Sequence, residues 1–493
     1  MNPETLLWLL LALPTLLAGG CLLLPSPRRI LLLVSAGGAL WGLLAGGAAL
    51  AVFASGPIFA ARGWLFLDPL SGYHLAILGF VLGSSSLYAW SYFRREVAAG
   101  DLPLPAARRF GALWFGAAAA MTATLLCNNL GLMWVGIEAT TLLTAFLISV
   151  HITPLSLEAM WKYLLVCSVG VAFAFLGTIL TAASAQQLGL DASEMLLWTR
   201  LQASAARLSS GSMRLAFLFL LVGYGTKAGL APLHSWLPDA HSQAPAPVSA
   251  LFSGFMLNAA FYCILRHLVL VEGATGGVGW GRELLVLFGL ASILLAAAFI
   301  LFQRDGKRLL AYSSVEHMGI IALGIGLGGA GTFAALWHAL NHSIAKTLSF
   351  FAMGRLGQAY GSHDLGRMAG AFRRRPVWAA GFCGGLLALI GVAPLAIFMS
   401  ELQVLRAAAQ ARAYLALILF LLGASLVFVG ALRHPIALLW GEGGDEPEPE
   451  RATPLEWLLA GGALLALLLL GVWLPSPLVA ALTAAAQAVE GLP

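Results

Sequence analysis

Lys227 is the residue of this chain whose chemistry is hardest to explain by packing alone. It lies in an apolar segment and is followed at once by Gly229–Pro232, where a glycine and a proline interrupt the helical pattern. A lysine at bilayer depth costs about 2.5–3.5 kcal/mol on insertion scales, so it requires a partner and usually has a function. Within a bilayer, backbone groups freed by a helix break must be satisfied by protein or water. The combination predicts an ion path through a bundle of helices.

Glu138, deep in another apolar segment, is the predicted counter-ion of Lys227. A carboxylate near an ammonium keeps both groups charged, and moving one of them changes the proton affinity of the other. The pair therefore has a physical basis to act as a switch that loads and releases a proton. The alternative is a static buried salt bridge, which often costs as much free energy as it returns.

Three titratable residues recur at intervals of four, namely His338, His342 and Lys346. On a helix this spacing places them along one face, about 6 Å apart per step. Histidine titrates near neutrality and suits a proton relay, so the row predicts a hydrated path. An i, i+4 histidine pair can also hold a metal ion, but the neighbouring sequence offers no third ligand, and we predict no metal site.

Further titratable residues lie within or at the ends of apolar segments. Glu401 follows a second break and is predicted to be an outlet carboxylate, or else a helix end that meets water. Lys307 is either on the path or a basic anchor at the membrane surface, and Lys162 either takes part or snorkels to the interface. His234 is predicted to be on the path as well, and the secondary candidates are Lys162, His241, Asn258, Glu316 and His317.

Composition places the chain among membrane proteins. Its 493 residues are 60% hydrophobic and 10% charged, whereas soluble domains carry about 25% charged residues. Windows of about 20 apolar residues mark membrane spans. We predict an all-α polytopic membrane protein with about fourteen spans, at 4–24, 30–53, 68–93, 109–127, 130–150, 158–183, 213–236, 247–270, 281–302, 307–329, 331–356, 376–402, 410–432 and 455–482.

The net charge of +5 reflects loop asymmetry rather than nucleic-acid binding. Connections of odd number hold sixteen of the 27 basic residues, and those of even number hold eight, including Arg266. The positive-inside rule then places the odd loops in the cytoplasm and both termini outside. Residues 442–450 form an acidic, proline-punctuated linker that is predicted to be a cytoplasmic loop.

No motif for redox or nucleotide chemistry is present. The five cysteines lie in apolar segments without a CxxC pair, so neither iron–sulfur ligation nor disulfides are predicted. Ala18–Cys21 is similar to a lipoprotein cleavage site, but Glu4 stands where a signal peptide carries basic residues. We expect a chain without a cofactor of its own.

A short repeat suggests two related halves. Gly229–Leu233 reads GLAPL in the seventh span and Gly391–Leu395 reads GVAPL in the twelfth. Because five spans separate them, the two broken helices run in opposite directions, as expected of an inverted repeat; on this interpretation Glu401 is the counterpart of Lys227. The predicted units are N-terminal helices 1–3 at 1–107, a first five-helix repeat at 108–270, a second at 281–432, and the acidic loop with a fourteenth helix at 433–493.

The segments LHSWLPDAH at 233–241 and PAPVSAL at 245–251 carry a specific resemblance. They resemble the signature of the proton-conducting antiporter-like membrane subunits found in respiratory complex I, multi-subunit sodium/proton antiporters and membrane-bound nickel–iron hydrogenases. The resemblance covers spans three to thirteen. It implies that Glu138 and Lys227 form the switch, that Lys307 and the His338–Lys346 row form a central axis, and that Glu401 lies on the exit side.

The chain departs from this family pattern in two places. Asn258 stands where many members have a lysine in the eighth span, and 169–171 lacks the aspartate of some members. Proton conduction is therefore a firmer expectation than coupled pumping. Ser313–Gly319 and Trp161–Tyr163 resemble the hydrogenase-4 component F group more than typical complex I subunits. That similarity implies the membrane arm of a hydrogenase or formate-hydrogenlyase-like complex, with a complex I subunit or a sodium/proton antiporter as the alternative.

The leading hypothesis is therefore an ion-translocating subunit of a redox-driven complex. Its expected partners are other membrane-arm subunits, a peripheral redox arm, and protons or sodium ions, in a bacterial or archaeal inner membrane. A second hypothesis is a stand-alone secondary transporter. A third, a non-conducting scaffold, is disfavoured because Glu138, Lys227 and Glu401 are all present.

Overall fold

The computed structural model of this chain describes residues 3–189, 191, 193–442 and 451–491. Most of the predicted acidic linker, from 443 to 450, lies outside the described residues. The N-terminal part consists of α1 (Pro3–Leu23), α2 (Pro27–Ser55), the hairpin strands β1 (Ile58–Ala60) and β2 (Leu65–Leu67), and α3 (Pro69–Ala99).

The first predicted repeat begins with α4 (Leu104–Leu126), α5 (Leu130–Ile148), α6 (Pro154–Gln186) and the short α7 (Trp198–Ala203). It continues with α8 (Ser210–Ala228), α9 (Leu237–Gln243), α10 (Ala246–Leu251), a π-helical turn (Phe252–Met256) and α11 (Leu257–Ala274).

The second predicted repeat consists of α12 (Trp280–Ile300), α13 (Gly306–Leu327), α14 (Ala330–Tyr360), α15 (Ala371–Arg374), α16 (Pro376–Leu389), α17 (Ala396–Gln410) and α18 (Tyr414–Trp440). The chain then forms α19 (Pro454–Val472) and α20 (Ser476–Glu490).

The helices begin where the sequence supplies caps. Asp68 accepts a hydrogen bond from the backbone of Ser71 in a capping box at the start of α3, and Thr153 does the same with Ser156 at α6. Each cap is followed by a proline at the first helical position, where the missing N–H has no partner to lose. Paired prolines and hydroxyls thus set the helix starts that position the later site residues.

Eleven helices of the described chain are long and apolar enough to cross a membrane, counting α10 to α11 as one. The remaining predicted spans correspond to α8, α14 and the α16–α17 pair. Those three are not among the eleven, because each is interrupted or carries several polar residues. The all-α polytopic fold predicted from the sequence is confirmed, with one two-stranded hairpin added.

Burial separates central from peripheral helices. The most apolar part of the α10–α11 span is 100% buried and that of α13 is 94% buried, against 28% for α1 and 22% for α19. Peripheral helices expose large apolar side chains such as Leu16 and Leu458, as lipid-facing helices do. The titratable residues of α13 and α14 therefore lie inside the protein.

Two predicted spans are broken by the same backbone structure. Gly229 (φ 76°) ends α8 and Gly391 (φ 69°) follows α16 in the left-handed conformation that favours glycine. Leu230 N donates to Gly225 O at 2.9 Å, and Val392 N donates to Leu387 O at 3.0 Å, in the same relative positions. A second pair of hydrogen bonds is equivalent in the two breaks: Leu233 N donates to Leu230 O, and Leu395 N donates to Val392 O.

This register corrects one expectation. Aligning the two breaks places Glu401 opposite Asp239 and places Leu389 opposite Lys227. Glu401 is therefore not the counterpart of Lys227, because the lysine precedes its break by one turn or less whereas the glutamate lies well inside the helix that follows.

The C-terminal prediction also needs correction. The segment 455–482 is not one span, since α19 ends at Val472 and α20 starts at Ser476. Pro475, which lacks a backbone N–H, precedes α20, and Trp473 is extended. In addition, α18 continues to Trp440, past the predicted limit at 432.

Candidate functional site

Lys227 lies in the last turn of α8, immediately before the first break, and is fully buried. Its Nζ donates to Thr141 Oγ1 on α5 at 3.0 Å and to the Tyr163 hydroxyl on α6, and it lies 4.7 Å from the centre of the Tyr163 ring. Two hydroxyls and a π-face stabilise an ammonium without adding negative charge.

The Tyr163 hydroxyl extends this contact by one step. It lies 2.6 Å from Thr144 Oγ1, whose own hydrogen points to Thr140 O at 2.6 Å. Tyr163 therefore accepts from Lys227 and donates to Thr144, which fixes the direction of the chain of hydrogen bonds. The Tyr163 ring packs 4.9 Å from the Trp236 ring, which belongs to the broken segment.

Glu138 is on α5, about one turn from Thr141. One oxygen, Oε1, accepts from Ser168 Oγ at 2.9 Å, while Oε2 has no hydrogen-bond partner among the described residues. Glu138 and Lys227 form no direct ion pair in the described part of the chain, although Glu138 is close enough to act on Lys227 electrostatically. Lys227 donates instead to Thr141, and the pairing of Glu138 with Lys227, directly or through one water, stays a prediction.

Asp239 on α9 forms ion pairs with two basic residues. It accepts from Lys162 Nζ at 2.5 Å and from Arg308 Nη1 at 2.6 Å. Lys162 is thus an ion-pair partner of the broken helix rather than a lone snorkelling lysine. The three side chains are 28–41% exposed, so this group lies where one end of the bundle opens.

Lys307 is only 3% exposed, which argues against the role of a surface anchor. Its Nζ donates to Ala244 O at 2.7 Å and is 3.5 Å from Ser242 O, so it binds carbonyls at the end of α9. A cation at a helix C-terminus is favourable because the carbonyl ends carry partial negative charge.

His234 and His241 flank the first break but form no hydrogen-bonded relay with Lys227. His234 packs 6.4 Å from the Tyr312 ring, and its Nδ1 has no partner among the described residues. His241 stacks on Phe350 at 5.0 Å, and neither of its ring nitrogens has a described partner. Both histidines therefore sit among aromatic rings between the two halves.

Histidines from two helices meet in the second half. His317 Nδ1 on α13 lies 2.9 Å from His338 Nε2 on α14, and His338 Nδ1 lies 3.0 Å from Ser400 Oγ on α17. Ser400 Oγ donates to Ile397 O at 2.9 Å, so it must accept from His338. His338 consequently carries its proton on Nδ1, and its bare Nε2 accepts from His317.

The residues of the predicted row thus form hydrogen bonds with neighbouring helices rather than with one another along α14. His342 is fully buried and lies 5.1 Å from the His317 ring, but neither of its nitrogens has a partner in the described structure. Lys346 Nζ donates to Leu310 O at 2.7 Å. Glu316 is 2% exposed and acts electrostatically on both Lys346 and Glu401.

Glu401 joins this cluster from α17. A carboxylate oxygen of Glu401 and one nitrogen each of His317 and His338 all lie within 4.8 Å of one another. Glu401 also lines a cavity of about 330 Å³ between α17 and α18, together with Gly391 of the second break and Phe420. It is therefore the member of the cluster that reaches open space.

Asn258 bridges the two halves. Its Nδ2 donates to Gly254 O at 3.3 Å and to Ser343 Oγ at 3.1 Å, and Ser343 is next to His342 on α14. Close by, Ser253 and Ser314 hydroxyls are 2.7 Å apart. Neutral amide and hydroxyl groups thus occupy the position where a lysine was expected from the resemblance.

Sequence reasoning missed several polar partners and assigned buried cations to loops. Arg266 lies inside α11, 1% exposed, and forms two hydrogen bonds to Asp68, at 2.5 and 2.8 Å, instead of lying in a loop. The partners that were missed are Thr141, Tyr163, Ser168, Asp239, Arg308 and Ser400. Most of them neighbour a predicted residue in sequence or by one helical turn, which is the signal that could have found them.

The similarity of this chain to known proteins establishes its family. Residues 127–427, more than half of the chain, match the family described as NADH:quinone oxidoreductase/Mrp antiporter, TM. The chain belongs to the NADH:quinone oxidoreductase/Mrp antiporter family. The matched region contains every site residue from Glu138 to Glu401.

Relatives of this family with curated descriptions agree with the resemblance noted in the sequence. The chain is 40% identical over 346 residues to a hydrogenase-4 component F homolog of Methylacidiphilum infernorum, covering 70% of this chain and 72% of that one. It is 28% identical over 457 residues to NADH-quinone oxidoreductase subunit N of Desulforudis audaxviator, covering 86% and 87%.

A solved structure shares the fold of nearly the whole chain. A chain of the membrane-bound sulfane sulfur reductase, an archaeal respiratory membrane complex, superposes with a TM-score of 0.87 at 24% identity, covering 99% of each chain. At that identity the likeness concerns the fold alone.

Proposed function

We propose that this chain is a proton-translocating, antiporter-like subunit in the membrane arm of a redox-driven complex. The observation that carries the proposal is that each broken helix meets a cluster of buried titratable side chains. Lys227 precedes the first break, while Glu401, His317 and His338 gather beside the second. Burying several such groups is costly, which favours an ion path over a structural role.

In the first half, Lys227 holds the proton. Thr141 and Tyr163 accept hydrogen bonds from the ammonium and keep it oriented, and Glu138 supplies the nearby negative charge. When Glu138 moves away or becomes neutral, the buried ammonium loses stabilisation and releases its proton. Because the carboxylate and the ammonium are not in direct contact, a small side-chain movement is enough to change their interaction.

In the second half, His317, His338 and Glu401 pass the proton toward the cavity at α17. The hydrogen bond from His317 to His338 and the fixed tautomer of His338 provide an acceptor and a donor in line. No chain of side-chain hydrogen bonds connects Tyr163 to His317 within the described residues. Transfer between the halves therefore requires water near Asn258 and Ser343.

The surface around Glu138 supports a role as a subunit. Glu138 is only partly buried, and the neighbouring α5 side chains Leu132, Val135, Leu142 and Phe146 are 45–50% exposed. Glu138 Oε2 is buried without a hydrogen-bond partner among the described residues, and a carboxylate at this depth is costly, so a protein neighbour on α5 suits it better than lipid. Partner helices packed on α5 would shield Glu138 and couple its charge to events outside the chain.

Similarity to the hydrogenase-4 component F homolog favours a hydrogenase or formate-hydrogenlyase-like complex over complex I. On this proposal the redox chemistry belongs to partner subunits, and this chain contributes ion movement. We place it in a bacterial or archaeal inner membrane with both termini on the outer side, and we propose protons as the moved ion.

The test is gentle detergent extraction of the native membrane followed by identification of co-purifying subunits and proton uptake in reconstituted vesicles. We expect a hydrogenase-type large subunit and proton uptake that depends on its redox substrate. A chain that purifies alone and exchanges sodium for protons across the vesicle would contradict the proposal and identify a stand-alone transporter.

A further inference from the structure

Three side chains of metal-ligand type converge on one point from three helices. His317 on α13, His338 on α14 and Glu401 on α17 each offer an atom within 4.8 Å of the others. The two histidines are fully buried and Glu401 is 9% exposed. The sequence did not indicate Glu401 as a third ligand, because α17 lies far from α13 and α14 along the chain.

The ligand set has a definite chemical preference. Two imidazole nitrogens and one carboxylate oxygen suit a borderline divalent cation such as Zn²⁺, whereas Mg²⁺ and Ca²⁺ prefer oxygen ligands alone. In a tetrahedral zinc site the ligand atoms are about 3.3 Å apart. The pair His317 Nδ1 and His338 Nε2 is at 2.9 Å, so side-chain rotations on the scale of an ångström would complete the site.

One ligand is already oriented for a metal. Ser400 Oγ accepts from His338 Nδ1–H at 3.0 Å and itself donates to Ile397 O. Asn341 Nδ2 also donates to Ser400 Oγ, at 3.3 Å. A histidine whose second nitrogen is held in this way presents its remaining lone pair in a fixed direction, as metal-binding histidines do.

Unpartnered nitrogens provide an independent observation. His317 Nε2 and both ring nitrogens of His342 are buried and have no hydrogen-bond partner in the described structure. The two rings are 5.1 Å apart. A buried nitrogen without a partner costs about 1–3 kcal/mol, so hydrogen bonding within the described protein does not by itself account for the histidines gathered here.

A route to the cluster also exists. Glu401 lines the cavity of about 330 Å³ between α17 and α18, which borders the second break at Ile390 and Gly391. Glu401 is the one member of the three that lines this cavity, and its carboxylate lies within 4.8 Å of a nitrogen of each histidine.

We propose that His317, His338 and Glu401 form a binding site for a zinc-type divalent cation, and that its occupancy blocks the histidine pair. On binding, His317 frees a lone pair by moving its Nδ1 proton to Nε2 of the same ring, and Glu401 binds as the carboxylate. The hydrogen bond between His317 and His338 is then lost. The blocking effect rests on the proposed proton path, whereas the binding site rests on geometry alone.

The binding test uses the full chain, purified through a tag without histidine and freed of metal with a chelator. Zn²⁺ affinity is measured by competition with a chromophoric chelator, stoichiometry by mass spectrometry of the metal, and ligand geometry by the absorption spectrum of bound Co²⁺. We expect one ion per chain and at least tenfold weaker binding in each of His317→Gln, His338→Gln and Glu401→Gln. Ser400→Ala should weaken binding about tenfold by releasing the His338 ring.

His267→Gln is the matched control. His267 is also fully buried, on α11, but its Nδ1 is held by Cys263 O and it is not part of the cluster. Its Zn²⁺ affinity should equal that of the unaltered chain. Monodisperse elution and an unchanged circular dichroism spectrum establish that each variant is folded, and any one folded ligand variant is enough for the comparison. Wild-type binding no tighter than about 100 µM, or equal affinity in every folded ligand variant, would overturn the site.

Proton uptake by the intact complex in vesicles supplies the second measurement. We expect reversible inhibition by Zn²⁺, relieved by chelator, with half-inhibition at the measured dissociation constant. Binding by the three ligands without inhibition would leave the metal site standing and overturn the proposed proton path through the histidine pair.

Discussion

His317 and His338 lie on neighbouring helices, and their facing nitrogens are 2.9 Å apart. The contact joins two elements that the sequence treats separately, and it turns a row of histidines on α14 into a path between helices. His338 also donates to Ser400 Oγ on α17, whose own hydrogen points to Ile397 O, while a Glu401 carboxylate oxygen lies within 4.8 Å of one nitrogen of each histidine. The predictions below test the parts of this arrangement one at a time.

Replacing Lys227 should show whether its function depends on its positive charge alone or on its ability to release a proton. Lys227→Ala should abolish proton translocation while the complex remains assembled, because the proton carrier is gone. Lys227→Arg should fail to restore it, since a guanidinium does not release its proton at accessible pH. Proton uptake in vesicles and native gel electrophoresis measure the two effects. Normal uptake by the arginine variant would show that Lys227 only supplies a fixed charge.

Tyr163→Phe removes one hydroxyl that accepts from Lys227 and leaves the ring in place. Hydrogen bonds to charged groups are worth about 1.5–3 kcal/mol, so we expect translocation to fall by about tenfold or more. Thr141→Val, which removes the other acceptor, should interact non-additively with it in a double-mutant cycle. Strictly additive effects would mean that the two hydroxyls do not act on the same ammonium.

Ser400→Ala should slow translocation by releasing His338 from its fixed tautomer. The serine touches the ring through Nδ1 only, so the fold should be retained. Ser400→Thr keeps the hydroxyl and serves as the conservative variant, which should recover most of the rate. An equal loss in both variants, with both proteins folded, would indicate that packing rather than the hydrogen bond matters at this position.

The ion pairs of Asp239 and the ion pair of Asp68 should differ sharply in their effect on stability. Asp239→Asn breaks a partly exposed group and should change the free energy of unfolding by about 1 kcal/mol or less. Asp68→Asn leaves Arg266 as an uncompensated charge in a fully buried site, which typically costs about 3–5 kcal/mol.

Thermal unfolding in detergent compares the two variants of this ion-pair experiment. Loss of the buried ion pair in Asp68→Asn should lower the melting temperature far more than loss of the partly exposed ion pairs in Asp239→Asn. Arg266→Met with Asp68→Asn should recover part of the loss, because it removes both charges. A larger effect at Asp239 would contradict the burial-based ranking.

The sequence by itself determined the fold class, most of the spans and the residues of greatest interest. Apolar windows of bilayer length and capped helix starts are local properties, so they can be read from the chain in order. The two breaks were equally visible, since Gly229–Leu233 and Gly391–Leu395 carry the glycine and proline that end a helix. Buried charge within these spans then marked Lys227, Glu138 and Glu401.

Only the tertiary structure decided which of these residues meet. Lys227 donates to Thr141 while Glu138 accepts from Ser168, Asp239 pairs with Lys162 and Arg308, and His317 contacts His338. Spacing along one helix fixes which residues share a face, but it does not fix the rotation and depth at which a neighbouring helix packs against that face. Those two quantities depend on the side chains of the whole bundle, and they decide the contacts that carry the proposed function.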